Sequence, residues 1–264
     1  MDERMDQMTK LHDLRINGSG SAGGGHFKTV SISGSGKIAG DIECESMKIG
    51  GSGKVEGSVF AETIKISGSS TLKGKIKTKL LNINGSTKLE GEVTAEEFTV
   101  SGSAKMLKEV KAGELKVNGS AKISGNLHAE RIDVSGMLTA ARDCEAEMFR
   151  SSGVIHVGGL LSADNIEICL DHYSKVKEIG GETFTVSIAK SFNLFRRLFK
   201  FLNSEPYLHT EVIEGDTIRL QHTKAKLVRG TDIYIGENCE IGTVEYTGSL
   251  DVHPKASVHN SKKV

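Results

Sequence analysis

Two identical tetrapeptides, residues 34–37 and 51–54, carry the order Gly-Ser-Gly-Lys that ends a phosphate-binding loop. In such a loop a Ser or Thr directly after the lysine binds Mg²⁺, and a helix follows. Here Ile38 and Val55 occupy the Ser or Thr position, and residues with the alternation of a strand follow. We therefore predict that both tetrapeptides are corners of the chain and not phosphate sites.

Metal and nucleophile motifs are also incomplete. Residues 128–130, His-Ala-Glu, match the first half of a zinc deaminase signature, but no Pro-Cys-x-x-Cys follows. His209, His222 and His253 are isolated, and the four cysteines form no Cys-x-x-Cys pair. The Gly-Ser-Gly runs lack the strand-to-helix context of a serine hydrolase elbow. The sequence thus predicts no catalytic residue, no cofactor and no metal site.

Composition narrows the class of protein further. Glycine supplies 31 of 264 residues, whereas there are only two prolines, which argues against collagen, proline-rich linkers and low-complexity disorder. Lys plus Arg number 34 and Asp plus Glu number 34, so bulk charge predicts no nucleic-acid partner. No apolar stretch approaches the roughly 18 residues of a membrane span, and the charged start is unlike a secretory leader. We expect a soluble, cytoplasmic protein without disulfides.

The elements that position these residues follow a 17-residue period, the interval between Gly34 and Gly51. The series of glycines is Gly34, Gly51, Gly68, Gly85, Gly102, Gly119, Gly136 and Gly153. With each glycine taken as position 0, positions 4, 8, 13 and 15 are mainly apolar and position 10 is small. Position 13, for example, holds Met47, Ile64, Leu81, Phe98, Leu115, Ile132, Phe149 and Ile166.

Within one repeat the apolar residues alternate, which is typical of strands and not of helices. Three short strands and three corners in 17 residues describe one turn of a β-solenoid. Each turn stacks on its neighbour at roughly 4.8 Å, and stability comes from neighbouring turns. Glycine at the corners predicts a backbone with positive φ, which glycine adopts without steric cost.

Two short units recur between residues 16 and 136. One is apolar-x-apolar-Ser/Asn-Gly-Ser, and the other is Gly-x-(Val/Ile)-x-Ala-Glu, as in residues 57–62 and 91–96. Both resemble the bactofilins, polymer-forming bacterial cytoskeletal proteins, over residues 14–168. The resemblance implies a right-handed triangular β-helix that stacks end to end into nucleotide-independent filaments, a scaffold for envelope or motility machinery. Roughly a hundred residues follow that core, so the chain is similar to the long members from Gram-positive bacilli.

A solenoid has two ends, and each exposes apolar side chains and unpaired strand groups unless something caps it. Before the first turns the sequence shows only a charged tail, residues 1–13, and a glycine-rich stretch, residues 18–25, that reads as flexible. We therefore predict that the apolar residues of the terminal turns form polymer contacts. The alternative is that residues 18–25 fold over the end. The predicted contact residues are Leu14, Ile16, Val30, Ile32, Ile166 and Ile168.

Two outward positions carry opposite charge. Position 3 is mostly basic: Lys37, Lys54, Thr71, Lys88, Lys105, Lys122, Thr139 and His156. Position 11 is mostly acidic: Glu45, Glu62, Lys79, Glu96, Gly113, Glu130, Glu147 and Asp164. Stacked like charges are mildly unfavourable. The columns could either join neighbouring filaments or keep two faces solvated.

After the core, residues 14–169, the 17-residue period fails. Residues 170–206 read as an insertion that contains an amphipathic helix over 188–202. Its candidate residues are Phe192, Phe195, Arg196, Arg197, Leu198, Phe199, Lys200 and Leu202. The helix could cap the solenoid, or it could lie on an anionic membrane surface. Residues 207–264 return to strand alternation and could either extend the first solenoid or form a second one.

The sequence therefore predicts an all-β scaffold that is not an enzyme. Its expected partners are copies of itself, with an anionic membrane surface and envelope or motility proteins as further candidates. One alternative is a hexapeptide-repeat acyltransferase, which is also a three-sided solenoid but needs about 18 residues per turn. A second alternative is a membrane-associated adaptor that does not polymerise.

Overall fold

The computed structural model describes residues 11–189 and 206–264. Throughout the described residues the chain is all-β, and no helix occurs among them. The strands are β1 (Leu14–Ile16), β2 (Ser19–Ile32), β3 (Ser35–Ile49), β4 (Ser52–Val55), β5 (Val59–Ile66), β6 (Ser69–Leu72), β7 (Ile76–Ile83), β8 (Ser86–Leu89), β9 (Val93–Val100), β10 (Ser103–Met106), β11 (Val110–Val117), β12 (Ser120–Ile123), β13 (Leu127–Val134), β14 (Met137–Ala140), β15 (Cys144–Ser151), β16 (Val154–Leu170), β17 (Ser174–Ile188), β18 (Leu208–His209), β19 (Val212–Leu220), β20 (Thr223–Ile235), β21 (Glu240–Val252) and β22 (Ser257–Lys263).

All of these strands pair in parallel within one 22-stranded sheet that winds through about 14 turns. In the regular part each residue lies beside the residue one repeat later, as Ser52 lies beside Ser69 and Ile66 beside Ile83. In the long strand of each turn the pairing skips position 11, for example between Ala61 and Thr63, where the chain turns a corner. The predicted solenoid with about 17 residues per turn is confirmed.

The interior is a stack of apolar columns. Position 15 is buried through most of the molecule: Ile16, Ile32, Ile49, Ile66, Ile83, Val100, Val117, Val134, Ser151, Ile168, Val186, Leu220 and Ile235. Side chains at neighbouring inward positions compensate for one another in size. Where position 2 grows from Ala121 to Leu138, position 4 shrinks from Ile123 to Ala140, and all four are buried. This exchange keeps the core at the close packing of protein interiors.

The corner glycines have a different cause from the predicted one. Of the glycines that the structure describes, only Gly25 (φ 153°) and Gly40 (φ 111°) have positive φ. A Cβ on Gly51 would instead fall closer than 3.0 Å to the carbonyl oxygen of Gly34, one turn below. The same collision with the preceding turn's backbone recurs up the column to Gly153. Glycine is therefore required by close stacking of backbone on backbone, and the positive-φ explanation was wrong.

The glycine-rich stretch 18–25 is an extended, paired segment and does not fold over the end. Nearly all of it belongs to β2 and pairs in register with β3, as Ala22 with Ile38 and Gly25 with Ile42. The stretch is part of the first turn of the solenoid, since its small residues form the same strand pairing as those of the later turns. Only one irregularity interrupts this pairing, between Gly23 and Gly25.

The C-terminal strands continue the same stack. Ile179 of β17 lies beside Ile213 of β19, and Gly181 lies beside Gly215. Strand β17 itself, within the predicted 170–206 segment, is a regular part of the ladder. The interval then shortens to 15 residues, since Val212 pairs with Leu227, and lengthens again by β21. Because these intervals change, a fixed 17-residue period did not predict that the C-terminal strands continue the stack.

The predicted 188–202 helix lies almost wholly outside the described residues. Ile188 ends β17. The structure does not describe the candidate residues of the predicted helix, which are Phe192, Phe195, Arg196, Arg197, Leu198, Phe199, Lys200 and Leu202.

Candidate assembly surfaces

At the N-terminal end, β1 lies on the last part of β2. Leu14 pairs with Val30 and Ile16 with Ile32. Val30 and Ile32 are fully covered one turn inside, whereas Leu14 is partly buried and Ile16 retains 9% exposure. Among the described residues β1 has no strand on its other side. Leu14 and Ile16 therefore belong to the outermost described turn, and Val30 and Ile32 support them from beneath.

The C-terminal end is more polar. Strand β22 (Ser257–Lys263) pairs with β21 alone, and most of its residues are exposed. Val258 is partly buried against the core, and Lys262 and Lys263 stand on the open edge. Lysine on an edge strand opposes uncontrolled strand pairing. The two ends thus differ in chemistry.

The predicted contacts Ile166 and Ile168 do not lie at an end. Ile166 lies between Phe149 and Phe184, and Ile168 lies between Ser151 and Val186. Both isoleucines are 1% exposed. The prediction placed them at the end of the regular repeats, but further turns cover them. Their role is in the core.

The basic column, defined as the outward residues at position 3, is longer than the sequence indicated. The register carries it past His156 into the C-terminal strands, through Lys175, His209 and Lys224. Near its start Glu56 contacts Lys37 at 3.4 Å, Lys54 at 3.5 Å and Lys73 at 3.6 Å. Hydrogen bonding from Lys37 lowers the pKa of Glu56. Glu56 therefore offsets part of this column.

The basic column lies along a shallow groove of about 700 Å³. Serines at position 1, such as Ser52 and Ser69, line it together with the lysines. Beneath them the inward residues are small, including Gly53 and Ser70. Ser70 donates a hydrogen bond to Thr87 at 3.2 Å, so the buried hydroxyls are satisfied. Small inward residues and short serines leave the lysines standing above the surface.

The acidic column, defined as the outward residues at position 11, occupies a corner of the solenoid. It also continues into the C-terminal turns, to Glu182 and Asp216. Its carboxylates are all exposed: Glu45, Glu62, Glu96, Glu130, Glu147, Asp164, Glu182 and Asp216. At Gly113 the column is interrupted, and a groove of about 790 Å³ lined by Glu96, Glu130, Glu147 and Asp164 opens there. A fixed 17-residue period could not predict the C-terminal members of both columns, because the repeat interval changes there.

The described residues offer few groups that could bind phosphate or a metal ion or act as a nucleophile. Residues 51–54 lie at a corner and in β4, as predicted, with no helix after them. The described residues contain no group of three or more His, Cys, Asp or Glu that could hold a metal ion. Burial raises the pKa of the Cys144 thiol to about 12 and those of Cys44 and Cys239 to about 11. Thiols of this kind are poor nucleophiles at neutral pH.

No helix long and apolar enough to span a membrane occurs in the part of the chain that the structure describes. The Nδ1 atom of His222 is a buried polar atom without a hydrogen-bond partner, while its Nε2 lies 2.9 Å from Asn238. His222 and Asn238 both have positive φ, at 46° and 56°. They form a strained polar corner within the C-terminal turns.

A parallel stack of turns with about 17 residues each defines a repeat protein of the β-solenoid class. Comparison with known proteins agrees. A family model described as bactofilin, polymer-forming cytoskeletal, matches residues 7–94. The chain is a member of the bactofilin family of polymer-forming cytoskeletal proteins.

Two Bacillus subtilis proteins are similar to this chain. The uncharacterized protein YhbE is 56% identical over 258 residues, which cover 97% of this chain and 100% of YhbE. The uncharacterized protein YhbF is 37% identical over 107 residues, 40% of this chain and 42% of YhbF. No solved structure shows a significant match.

Proposed function

We propose that the protein assembles by stacking solenoid on solenoid, without nucleotide, into filaments that serve as a cytoplasmic scaffold. The observation that carries the proposal is the unpartnered parallel edge at each end of the described stack. An open strand edge is a template for pairing with another chain. The family description, polymer-forming cytoskeletal, supports the same function.

The N-terminal contact in this proposal uses Leu14 and Ile16, with Val30 and Ile32 as the layer beneath. An incoming copy would add a turn to β1 and to the first half of β2, and it would bury Leu14 further. Neighbouring turns supply the stability of a solenoid, so a copy added at the end gains the kind of contact that an internal turn already has.

The role is structural and not catalytic in this proposal. The filament would position envelope or motility machinery, and the basic, aromatic 188–202 segment would hold it at the inner face of the membrane. The buried, weakly acidic thiols and the shallow grooves of the described chain support a role without bound cofactor.

Electron microscopy of the purified protein without nucleotide tests the proposal. We expect filaments from the parent chain and short particles from Leu14→Asp, because a buried carboxylate at the contact is costly. Phe60→Asp is the matched control, since Phe60 is an exposed apolar residue in mid-stack, at 43% exposure. A parent chain that stays monomeric at high concentration, or a Leu14→Asp variant with normal filament length, would contradict the proposal.

A further inference from the structure

The two charged columns run along different sides of the solenoid, through nearly all of its described length. Each column contributes one residue per turn, so both have the spacing of neighbouring strands, about 4.8 Å. The basic column of one copy therefore has the same spacing as the acidic column of a second copy along the whole stack. This is a condition for a long, repeating contact, and the register of the individual charges then decides whether the contact forms.

Within the described residues, most carboxylates of the acidic column form no ion pair. In that part of the chain Glu62 alone does so, with Lys79 at 2.9 Å. Among the described residues, no ion pair holds Glu45, Glu96, Glu130, Glu147, Asp164, Glu182 or Asp216. On the basic column Lys105, Lys122 and Lys175 are likewise unpaired within the described chain. Like charges stacked this closely repel each other, so each column gains from an opposite charge placed alongside it.

We propose that a second copy of this chain docks laterally, parallel and with no shift in turn number, with its acidic column against the basic column of the first. This contact needs no end-to-end stacking and is separate from the filament proposal.

The register of the charges selects that arrangement. With no shift in turn number, each basic-column residue faces the acidic-column residue of the same turn. Five lysines then face carboxylates: Lys37 and Glu45, Lys54 and Glu62, Lys88 and Glu96, Lys122 and Glu130, and Lys175 and Glu182. Two histidines face aspartates in the same way: His156 and Asp164, and His209 and Asp216.

The exceptions in each column also match. The acidic column contains two cations, Lys28 in its first turn and Lys79. At those two turns the basic column carries neutral residues, Ser21 opposite Lys28 and Thr71 opposite Lys79. A shift of one turn in one direction would bring Lys37 against Lys28. A shift in the other direction would bring Lys54 against Lys79.

An antiparallel arrangement fits less well. The best antiparallel register also gives five lysine-carboxylate pairs and places Lys79 opposite Thr139. However, it brings His209 against Lys28. The parallel, unshifted register is favoured because it places His156 and His209 opposite aspartates, and both cations of the acidic column opposite the hydroxyl side chains of Ser21 and Thr71. A contact between two different surfaces repeats without closing, which produces sheets or bundles.

Cysteine cross-linking tests the register directly. One copy carries Lys122→Cys and the other Glu130→Cys, both in a Cys169→Ser background because Cys169 is the one native cysteine that is not fully buried. We expect a disulfide-linked dimer on mild oxidation. Pairing Lys122→Cys with Glu96→Cys reports the antiparallel register. A dominant product from that second pair, or no enrichment of the first pair over either variant alone, overturns the proposal.

Charge reversal tests the energetics. We expect bundles at about 0.1 M salt and single filaments or monomers at about 1 M, where screening reaches about 3 Å. Lys88→Glu with Lys122→Glu should abolish bundling, and mixing with a Glu96→Lys, Glu130→Lys chain should restore it. Lys48→Glu with Lys65→Glu, a stacked exposed pair elsewhere, is the matched control. Bundling that persists in the column variant, or that the control variant loses equally, contradicts the proposal. Normal filament length with lost bundling separates this contact from the end contact.

Discussion

Glycine at position 0 shows how one residue type can be required for a reason that the sequence does not reveal. Gly50 and Gly51 are neighbours, yet only Gly51 lies directly above the carbonyl oxygen of a glycine in the turn below. A Cβ on Gly50 would meet its nearest atom, the Ile32 carbonyl oxygen, at 3.9 Å. Close stacking on the turn below therefore causes the requirement for glycine, and it can be recognised only when the pairing of the turns is known.

Gly51→Ala and Gly50→Ala form a matched test of this explanation. We expect Gly51→Ala to lower the free energy of unfolding by about 1–3 kcal/mol, because the backbone must shift to admit the methyl group. Gly50→Ala should be close to neutral, since its Cβ has room. Thermal or denaturant unfolding followed by circular dichroism measures both. Equal losses in the two variants would contradict close stacking as the cause of the requirement.

Glu56 provides a pH-dependent contribution at the same scale. Its pKa is lowered, first by the hydrogen bond from Lys37, so the ionised carboxylate is favoured in the folded state. The stabilisation is present above the usual carboxyl pKa and is lost as the pH falls through the lowered one. Glu56→Gln should therefore be slightly less stable than the parent at neutral pH, and the difference should vanish in acid.

Melting temperatures of the two chains across that pH range measure the effect. Glu130→Gln is the control, because Glu130 forms no ion pair within the described chain. A Glu56→Gln deficit that stays constant from neutral to acid pH would exclude the lysine contacts as its cause.

At the scale of the elements, the alternation and the 17-residue period were sufficient to predict the parallel solenoid from β1 to β16. They were insufficient for the C-terminal strands, because Ile179 and Ile213 are 34 residues apart and Val212 and Leu227 only 15. The charged columns were predictable only as far as the period held. The ends were not, since Ile166 and Ile168 are covered by turns that a fixed period does not find.

Strand β17 pairs with β18 and β19, so the ladder of strands continues from one side of residues 190–205 to the other. Three residues, 171–173, join β16 to β17. Deleting residues 190–205 would leave three residues, 189, 206 and 207, between β17 and β18. We therefore expect the deletion variant to keep its β-sheet circular dichroism and its melting temperature.

This variant also separates the two roles proposed for the 188–202 segment. A membrane-binding segment predicts unchanged stability and lost binding to vesicles that contain anionic lipid. A capping segment predicts a lower melting temperature with no vesicle binding in either chain. Phe195→Asp with Leu198→Asp in the full chain should reproduce the loss of vesicle binding if the segment lies on the membrane.

For the whole molecule, equal numbers of acidic and basic residues conceal an ordered distribution. Lysines and carboxylates occupy separate columns, so a chain with zero formal net charge presents two strongly charged lines along its length. The ends differ too, with Leu14 and Ile16 at one and Lys262 and Lys263 at the other. The proposed axial and lateral contacts would therefore use different forces, and salt should weaken the lateral contact far more than the axial one.

Hydrogen exchange can locate the axial contact on the whole assembly. In a stack, inner strands are held from both sides, whereas edge strands exchange their amide hydrogens readily. We expect β1 and residues 19–27 of β2 to become protected when the parent chain polymerises. Strand β9, which pairs with β7 and β11 in the single chain, should change little. Leu14→Asp should leave β1 and β2 exchanging as in the monomer. Protection confined to the mid-stack faces on polymerisation would place the growth contact on the sides of the solenoid and not at its end.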